Sequence, residues 1–488
     1  MTKVIPELNQ KNLKEIGKVQ KPGYDRGKVT AGILHIGLGN FHRAHQTIYI
    51  DDLLENPENS GWGIVSAIIR KDQAALCQHL SKQDGLYTIK TVSPRNEINY
   101  RIIGSIIGTV DGVTNPQKVI EYMADPAIKI ITSTVTEGGY YLTQDSERVD
   151  HTHPDVAEDI AGGLRTYYGF LRAGLTRRAE KNAGPVTLVS CDNLRMNGDS
   201  LKKGLLTFLE QCRQSALLKW IEKNVSFPNS MVDRITPRTE PGESQELCGK
   251  FGYVDQAVFK AESFIQWALE DNFTTPRPPF EAAGVEMVSD IHEKEESKIR
   301  ILNGSHSGLA WYAAMEGYDF YHQAIRDPEL FRFIDEYVTG EVIPMLDFVS
   351  FDLDAYKQVI YERFGNEYLP DSISRLATEG ISRIPKFVLP TIYDRLERGL
   401  DSPRGFEILA AWFVFLAADR QNLNKFKYQD QEISLIDGWF SAEDPFREFT
   451  DARNFWGVKK EHEEAFRDQL SAALKRIPKK YLDHARRK

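Results

Sequence analysis

A short buried-strand pattern, Ile33-Leu-His-Ile36, runs straight into Gly37-Leu-Gly39, and a helical pattern carried by Ile48, Tyr49, Leu53 and Leu54 follows. Strand, glycine turn and helix N-terminus in that order constrain the fold more than any other stretch of the 488 residues. Glycines let the backbone approach a pyrophosphate, whose charge then sits on free N–H groups at the helix start. The dinucleotide cradle predicted here comprises Ile36, Gly37, Leu38, Gly39, Asn40, Phe41, His42 and Arg43. A third glycine is absent, with His42 in its place, and two glycines alone are a weak signal.

The pattern repeats downstream. Ile64–Ile69, Tyr87–Val92, Lys129–Thr134 and Val186–Cys191 read as further strands, with helical periodicity between most of them. Such alternation predicts an α/β, Rossmann-type N-terminal domain with a mostly parallel sheet covered by helices on both faces. Residues 99–110 alternate apolar with polar and are expected to add antiparallel strands at one edge. After Thr275-Pro-Arg-Pro-Pro279 and a last strand near Val285–Val288, helical periodicity takes over, including Pro328–Val342, Ala355–Phe364, Phe387–Arg398 and Gly405–Ala418. The expected division is a dinucleotide-binding domain over 1–288 and an all-helical substrate or catalytic domain over 289–488.

Near the start of the helical part stands Lys298-Ile-Arg-Ile-Leu-Asn303-Gly-Ser-His306, flanked by apolar residues at helical spacing. Asn-Gly-Ser are poor helix formers in a place where local rules would put Leu or Ala. Breaks in local consistency of this kind are expected at functional sites. At ~100° per residue, Lys298, Asn303 and His306 fall within an arc of about 140°. An amine, an amide and an imidazole could then face one cleft; a buried polar network that fixes helix packing is the alternative.

Composition narrows the classes. A net charge of −9 argues against a nucleic-acid partner, and the basic cluster from Lys475 to Lys488 reads as a solvated last helix. The four cysteines are widely spaced, with no Cys-x-x-Cys pair, which fits a reducing compartment and gives no zinc motif. His151-Thr-His153, in a polar loop, reads as surface, and no metal is expected. No apolar run approaches the ~20 residues of a membrane span, and the N-terminus lacks a signal-peptide pattern. A cytoplasmic protein without a membrane partner, a monomer or weak oligomer, is expected.

The longer string Gly-x-Gly-x-Phe-His-Arg-Ala-His-Gln, together with Lys-x4-Asn-x2-His, resembles the long-chain polyol dehydrogenase family, which includes mannitol 2-dehydrogenases, fructuronate reductases and tagaturonate reductases. Gln83–Thr88, Thr136–Tyr140, Ser190-Cys-Asp-Asn193-Leu and Phe227–Pro237 agree with the family pattern. The resemblance covers about Ile33 to beyond Ala418. It implies a metal-independent oxidoreductase that moves a hydride between a nicotinamide cofactor and C2 of an open-chain polyol. Such a reaction needs a base for the hydroxyl proton, and a lysine serves only where desolvation or a cationic neighbour lowers its pKa. The resemblance assigns that role to Lys298, stabilisation of the reacting oxygen to Asn193 and Asn303, and orientation of lysine and substrate to His306. It further implies proton movement to solvent for Glu295 and a place near the substrate for Asp233. A non-catalytic nucleotide-binding redox sensor on the same fold would have no need of this set.

Cofactor and substrate follow in the same way. After Ile69 the chain reads Arg70-Lys-Asp72-Gln73, and an acid there hydrogen-bonds the adenosine ribose of NAD. NAD is the expected cofactor, while Arg70 and Lys71 leave NADP open. Thr136-Glu-Gly138-Gly-Tyr140 resembles the mannitol enzymes, and Arg375 falls where those enzymes place an arginine on substrate hydroxyls. Arg383 stands where the family usually has lysine, and its fork could favour a shorter polyol or an acid. D-Mannitol to D-fructose, or a close stereoisomer, or the shorter arabinitol, is the expected reaction; reduction of fructuronate or tagaturonate is the alternative.

Overall fold

Six parallel strands form the main sheet of the computed structural model: β1 (Ala31–Ile36), β2 (Gly63–Ile68), β5 (Ile106–Asp111), β6 (Ile130–Ser133), β7 (Val186–Ser190) and β8 (Val225–Ser226). Their order is β5-β2-β1-β6-β7-β8, every neighbouring pair parallel. The chain starts in the middle and winds outward twice, so the order reverses between β1 and β6, the crevice where open sheets of this kind take ligands. The structure describes residues 5–143, 148–237, 239 and 242–486. It divides into two compact units, Met1–Ile291 and His292–Lys488.

Burial explains the near-continuous apolar strands. Along β1, Leu34 and Ile36 join one apolar core with Val119, Met123, Phe170, Leu171, Leu201 and Leu205 from covering helices. Ile33 points the other way, into a second core with Tyr49, Ile50, Leu53, Leu54, Trp267 and Phe280. Strands buried on both faces lose the polar alternation of a half-exposed strand. At one end of the helix Tyr167–Glu180, buried Arg178 donates to the carbonyls of Met123, Asp125, Ile128, Gly184 and Pro185. One guanidinium thereby satisfies the loops that would otherwise leave buried acceptors unpaired.

Two expectations need correction. The strand β3 (Tyr87–Val92) is not in the main sheet; it pairs antiparallel with β4 (Ile98–Ile103) and parallel with β10 (Phe259–Glu262) in a separate three-stranded sheet. The stretch 99–110 is likewise not a single antiparallel edge, because β5 pairs parallel with β2. Gly104 and Ser105 separate β4 from β5 and send the two strands to different sheets. Local alternation fixes the face a residue occupies, not the partner strand. A third sheet, β12 (Glu286–Val288), β11 (Gln266–Glu270) and β9 (Ser230–Asp233), carries Trp267 into the second core.

The second unit is helical, and among its described residues no strand occurs beyond the isolated Phe320–Ser372 bridge. Pro403–Arg420 is its buried axis, packed against Gly304–Met315 and Glu463–Arg476. Trp412 lies within 6 Å of Trp311, Trp439, Phe449 and Phe455. A helix apolar all round must be surrounded in this way. Of the C-terminal basic residues, Arg476 donates to Glu407 and Lys480 to Glu316. No helix is long and apolar enough to cross a membrane among the described residues.

Candidate active site

The glycine turn sits at the carboxyl end of β1. Gly37 has φ +106°, and a Cβ there would lie 2.1 Å from the Thr134 carbonyl oxygen, so no other residue fits without moving β6's exit. Gly39 is different: a Cβ would meet Gln73 Nε2 at 3.7 Å and the Gly37 carbonyl oxygen at 4.0 Å, both ordinary van der Waals contacts. The space above Gly39 is therefore open, as a backbone that receives a phosphate must be. Gln73 also brings the Arg70–Gln73 turn alongside the glycines. Asp72 is exposed on that turn, 3.4 Å from Arg70 Nε.

His42 and Arg43 do not offer their side chains to a ligand here; both are buried. The His42 ring stacks on His35, with Nε2 3.0 Å from Ser66 Oγ. His35 bridges Thr132 Oγ1, at 2.7 Å, and the Gly37 carbonyl, at 3.1 Å. Burial pushes the His35 pKa down to about 3, so the ring is neutral. Arg43 donates to the Ala257 carbonyl and lies over the Phe259 ring at 4.4 Å, with burial lowering its pKa to about 10. These side chains fix the turn from below and leave its backbone as the recognising surface. The helix correspondingly stops after Asn40–Ala44 and restarts at Gln46.

At the carboxyl end of β7, Asn193 is exposed beside buried Asp192. The Asp192 carboxylate accepts from the N–H groups of Val135, at 3.1 Å, and Thr136, at 2.8 Å, and from Tyr140 Oη at 2.8 Å. Thr136 has φ +67°, a strained value for a β-branched residue. Asp192 thus ties the strained exit of β6 to the strand end that carries Asn193. Burial raises its pKa to about 6 against the opposing hydrogen bonds. Asp233 ends β9 and is buried. The sequence reading passed over Asp192, although it adjoins Asn193 in the Ser190–Leu194 motif.

In the second unit, one continuous helical path runs through His292–Ser297, Lys298–Asn303 and Gly304–Met315. Its middle section is a π-helix, and Gly304 N–H reaches back five residues to the Ile299 carbonyl. Wider winding brings residues five apart closer to one face than an α-helix does. Lys298 and Asn303 are five apart, so the π-turn narrows the arc expected for an ideal α-helix. The poor helix formers sit where this turn closes. Gly304 fits closely there, since a Cβ would come 3.0 Å from the Phe387 carbonyl oxygen. Lys298 and Glu295 are buried, whereas Asn303 is half-buried.

His306 lies one α-turn beyond Asn303. Its ring stacks on Phe364, centroids 4.7 Å apart, and meets Tyr321 edge-on at 4.4 Å. Asp371 Oδ2 is 3.5 Å from its Nε2. Burial pushes the His306 pKa down to about 3, opposed by Asp371 and assisted by Arg375, Arg383 and Arg363. The imidazole is neutral and keeps one accepting nitrogen. Arg375 is exposed and paired with Asp371, and Arg383 donates to the Leu376 carbonyl at 2.8 Å. Lys298, Asn303 and His306 thus share one helix, and both arginines act on the histidine. Among the described residues, no group of three His, Cys, Asp or Glu side chains is placed to hold a metal ion.

Comparison with known proteins agrees with this architecture. Residues 31–282 match the family described as the mannitol dehydrogenase Rossmann domain, and residues 290–477 the mannitol dehydrogenase C-terminal domain. The chain is 42% identical to the D-arabinitol 4-dehydrogenase of Ralstonia nicotianae, over 87% of this chain and 92% of that protein. It is 36% identical to a mannitol 2-dehydrogenase of Pyrenophora tritici-repentis, over 96% and 83% respectively. The structure of Pseudomonas fluorescens mannitol 2-dehydrogenase in ternary complex with NAD and D-mannitol superposes with a TM-score of 0.87 at 32% identity, covering 98% of each chain. With both family domains in order and dehydrogenases of sugar alcohols as relatives, this chain belongs to the mannitol dehydrogenase family of polyol oxidoreductases.

Proposed function

We propose that the protein catalyses reversible, NAD-dependent oxidation of an acyclic polyol at the carbon next to a terminal hydroxymethyl group. That carbon is C4 of D-arabinitol or C2 of D-mannitol, and the product is a ketose. The observation that carries the reading is the π-turn, which gathers Lys298 and Asn303 towards one face of the helix that also bears His306. Lys298 takes the hydroxyl proton, and Asn303 and Asn193 donate to the oxygen as negative charge develops on it. Neutral His306 accepts a hydrogen bond that orients the lysine and substrate. Glu295 passes the proton onward, and Asp233, Arg375 and Arg383 bind the remaining hydroxyls.

The cradle at Gly37–Arg43 suits a dinucleotide pyrophosphate because Gly39 stands open and Asp72 lies on the adjoining turn, in reach of a ribose. NAD, when bound, supplies the hydride acceptor. The first unit accordingly carries the cofactor and the second the base. Among substrates, the pentitol ranks first: the relative at 42% identity is a D-arabinitol 4-dehydrogenase, against 36% for the mannitol enzyme. Arg383, bulkier than the lysine it replaces, also suits a shorter chain.

The test is a panel of C5 and C6 polyols, their ketoses and the keto-uronates, followed by nicotinamide absorbance. The expected order in kcat/KM is D-arabinitol, then D-mannitol, with the uronates far below. A keto-uronate reduced at least tenfold more efficiently than both D-xylulose and D-fructose overturns the polyol reading.

A further inference from the structure

Asp371 stands between two residues that the proposed function uses, and the sequence gives it no motif. Its Oδ2 is 3.5 Å from His306 Nε2, and the same carboxylate accepts from Arg375 through Nε, at 2.9 Å, and through Nη2. The backbone around it is clipped in place. Tyr321 N–H donates to the Asp371 carbonyl at 2.9 Å, and Ile373 N–H to the Asp319 carbonyl at 2.9 Å. Among the charged groups that act most strongly on the His306 imidazole, Asp371 is an acid and Arg375, Arg383 and Arg363 are cations.

We propose that Asp371 is a positioning residue that reserves this site for uncharged polyols. Two consequences of its placement support this. A guanidinium recognises a carboxylate through a pair of parallel N–H bonds, and the Nε/Nη2 pair of Arg375 is already taken. A substrate carboxylate would approach an arginine that is neutralised and would face the Asp371 charge, a repulsive element of specificity. A hydroxyl needs one donor only, which the rest of the guanidinium provides. The Asp371 charge, 3.5 Å from Nε2, also favours the tautomer of neutral His306 that carries its proton on that nitrogen, which leaves the Nδ1 lone pair free of a proton.

The inference rests on the polyol reading, and the test separates the two. Wild-type turnover of D-xylulose or D-fructose decides the reading by itself. Asp371→Asn is then expected to lower kcat/KM for the ketose at least tenfold, chiefly through KM. Selectivity for D-fructuronate over the ketose should shift at least tenfold toward the acid, with NAD affinity unchanged. Asp371→Glu should restore part of the original selectivity, which a merely destabilised fold would not do. Equal losses on both substrates, or no loss on either, overturn the proposal. Ring nitrogen-15 shifts of His306 in the wild-type protein give a check that needs no variant: protonation at Nε2 is expected, and protonation at Nδ1 overturns it.

Discussion

The imidazoles of His35 and His42 lie 3.4 Å apart and 4° from parallel, both buried beneath the Gly37–Gly39 turn. Their pKa values are lowered chiefly by burial, that of His35 to about 3. Stability must therefore depend on pH. Folded, the rings stay neutral; unfolded, each takes a proton below about pH 6.5. Between about 3 and 6.5 the unfolded chain binds more protons, so stability falls as pH drops and is level above that window. Each such ring contributes up to ~1.4 kcal/mol per pH unit there. Urea midpoints at pH 7.5 and pH 5 should show the fall, and His35→Gln should flatten it. An unchanged slope in that variant would mean the ring is not held neutral.

The two turn glycines should fail differently. Gly37→Ala places a Cβ against a backbone carbonyl at positive φ and should destabilise the fold by about 1–3 kcal/mol. Gly39→Ala meets no close contact in the protein and should leave the melting temperature in place. It should nevertheless weaken NAD binding about tenfold or more, because the added methyl occupies the pyrophosphate's approach. Calorimetric titration and thermal melts on the two variants decide this.

Lys298→Ala should remove turnover by ~10²–10⁴-fold, the usual contribution of a positioned base. NAD affinity should hold, since the cradle belongs to the other unit. A variant retaining a third of the wild-type kcat would end the assignment.

Asp192→Asn exchanges two accepting oxygens for one. A buried donor among Val135 N–H, Thr136 N–H and Tyr140 Oη then loses its partner, at a cost of about 1–3 kcal/mol. Turnover should fall with it through a displaced Asn193. The carboxylate's pKa, raised to about 6, adds a sign: its proton favours the fold, so this contribution is present near pH 4 and lost as pH rises through 6. The variant should lack that component in stability measured between pH 4 and 7.

Cofactor choice should turn on Asp72. Asp72→Ala removes the ribose partner and frees Arg70, which the acid holds at 3.4 Å. NAD affinity should drop more than NADP affinity. Equal losses would show that Asp72 does not face the ribose.

The first βα turn was legible in the sequence because strand, glycines and helix are contiguous, and so were the long helices of the second unit, whose 3.6-residue period is local. The partner of β3 was not, since pairing with Phe259–Glu262 spans 170 residues and leaves no mark on Tyr87–Val92 itself. In the site, Lys298, Asn303 and His306 stood out because polar residues interrupt an apolar helix. Asp192 and Asp371 did not. Their significance lies in what they touch: the N–H groups of another strand's exit in one case, and His306, 65 residues away, in the other. The π-winding was also hidden, although Asn-Gly-Ser, which stands where it closes, was in plain view.

That winding, and not residue identity alone, decides which side chains share a face. A π-turn amounts to one residue inserted into an α-helix, so the segments before and after it are read in different rotational phase. Wound as ordinary α with every residue kept, and with the packed Gly304–Met315 segment staying put, the same chain would carry Lys298 about 140° round the axis from Asn303. The amine would leave the face it shares with Asn303, though every functional side chain would remain present.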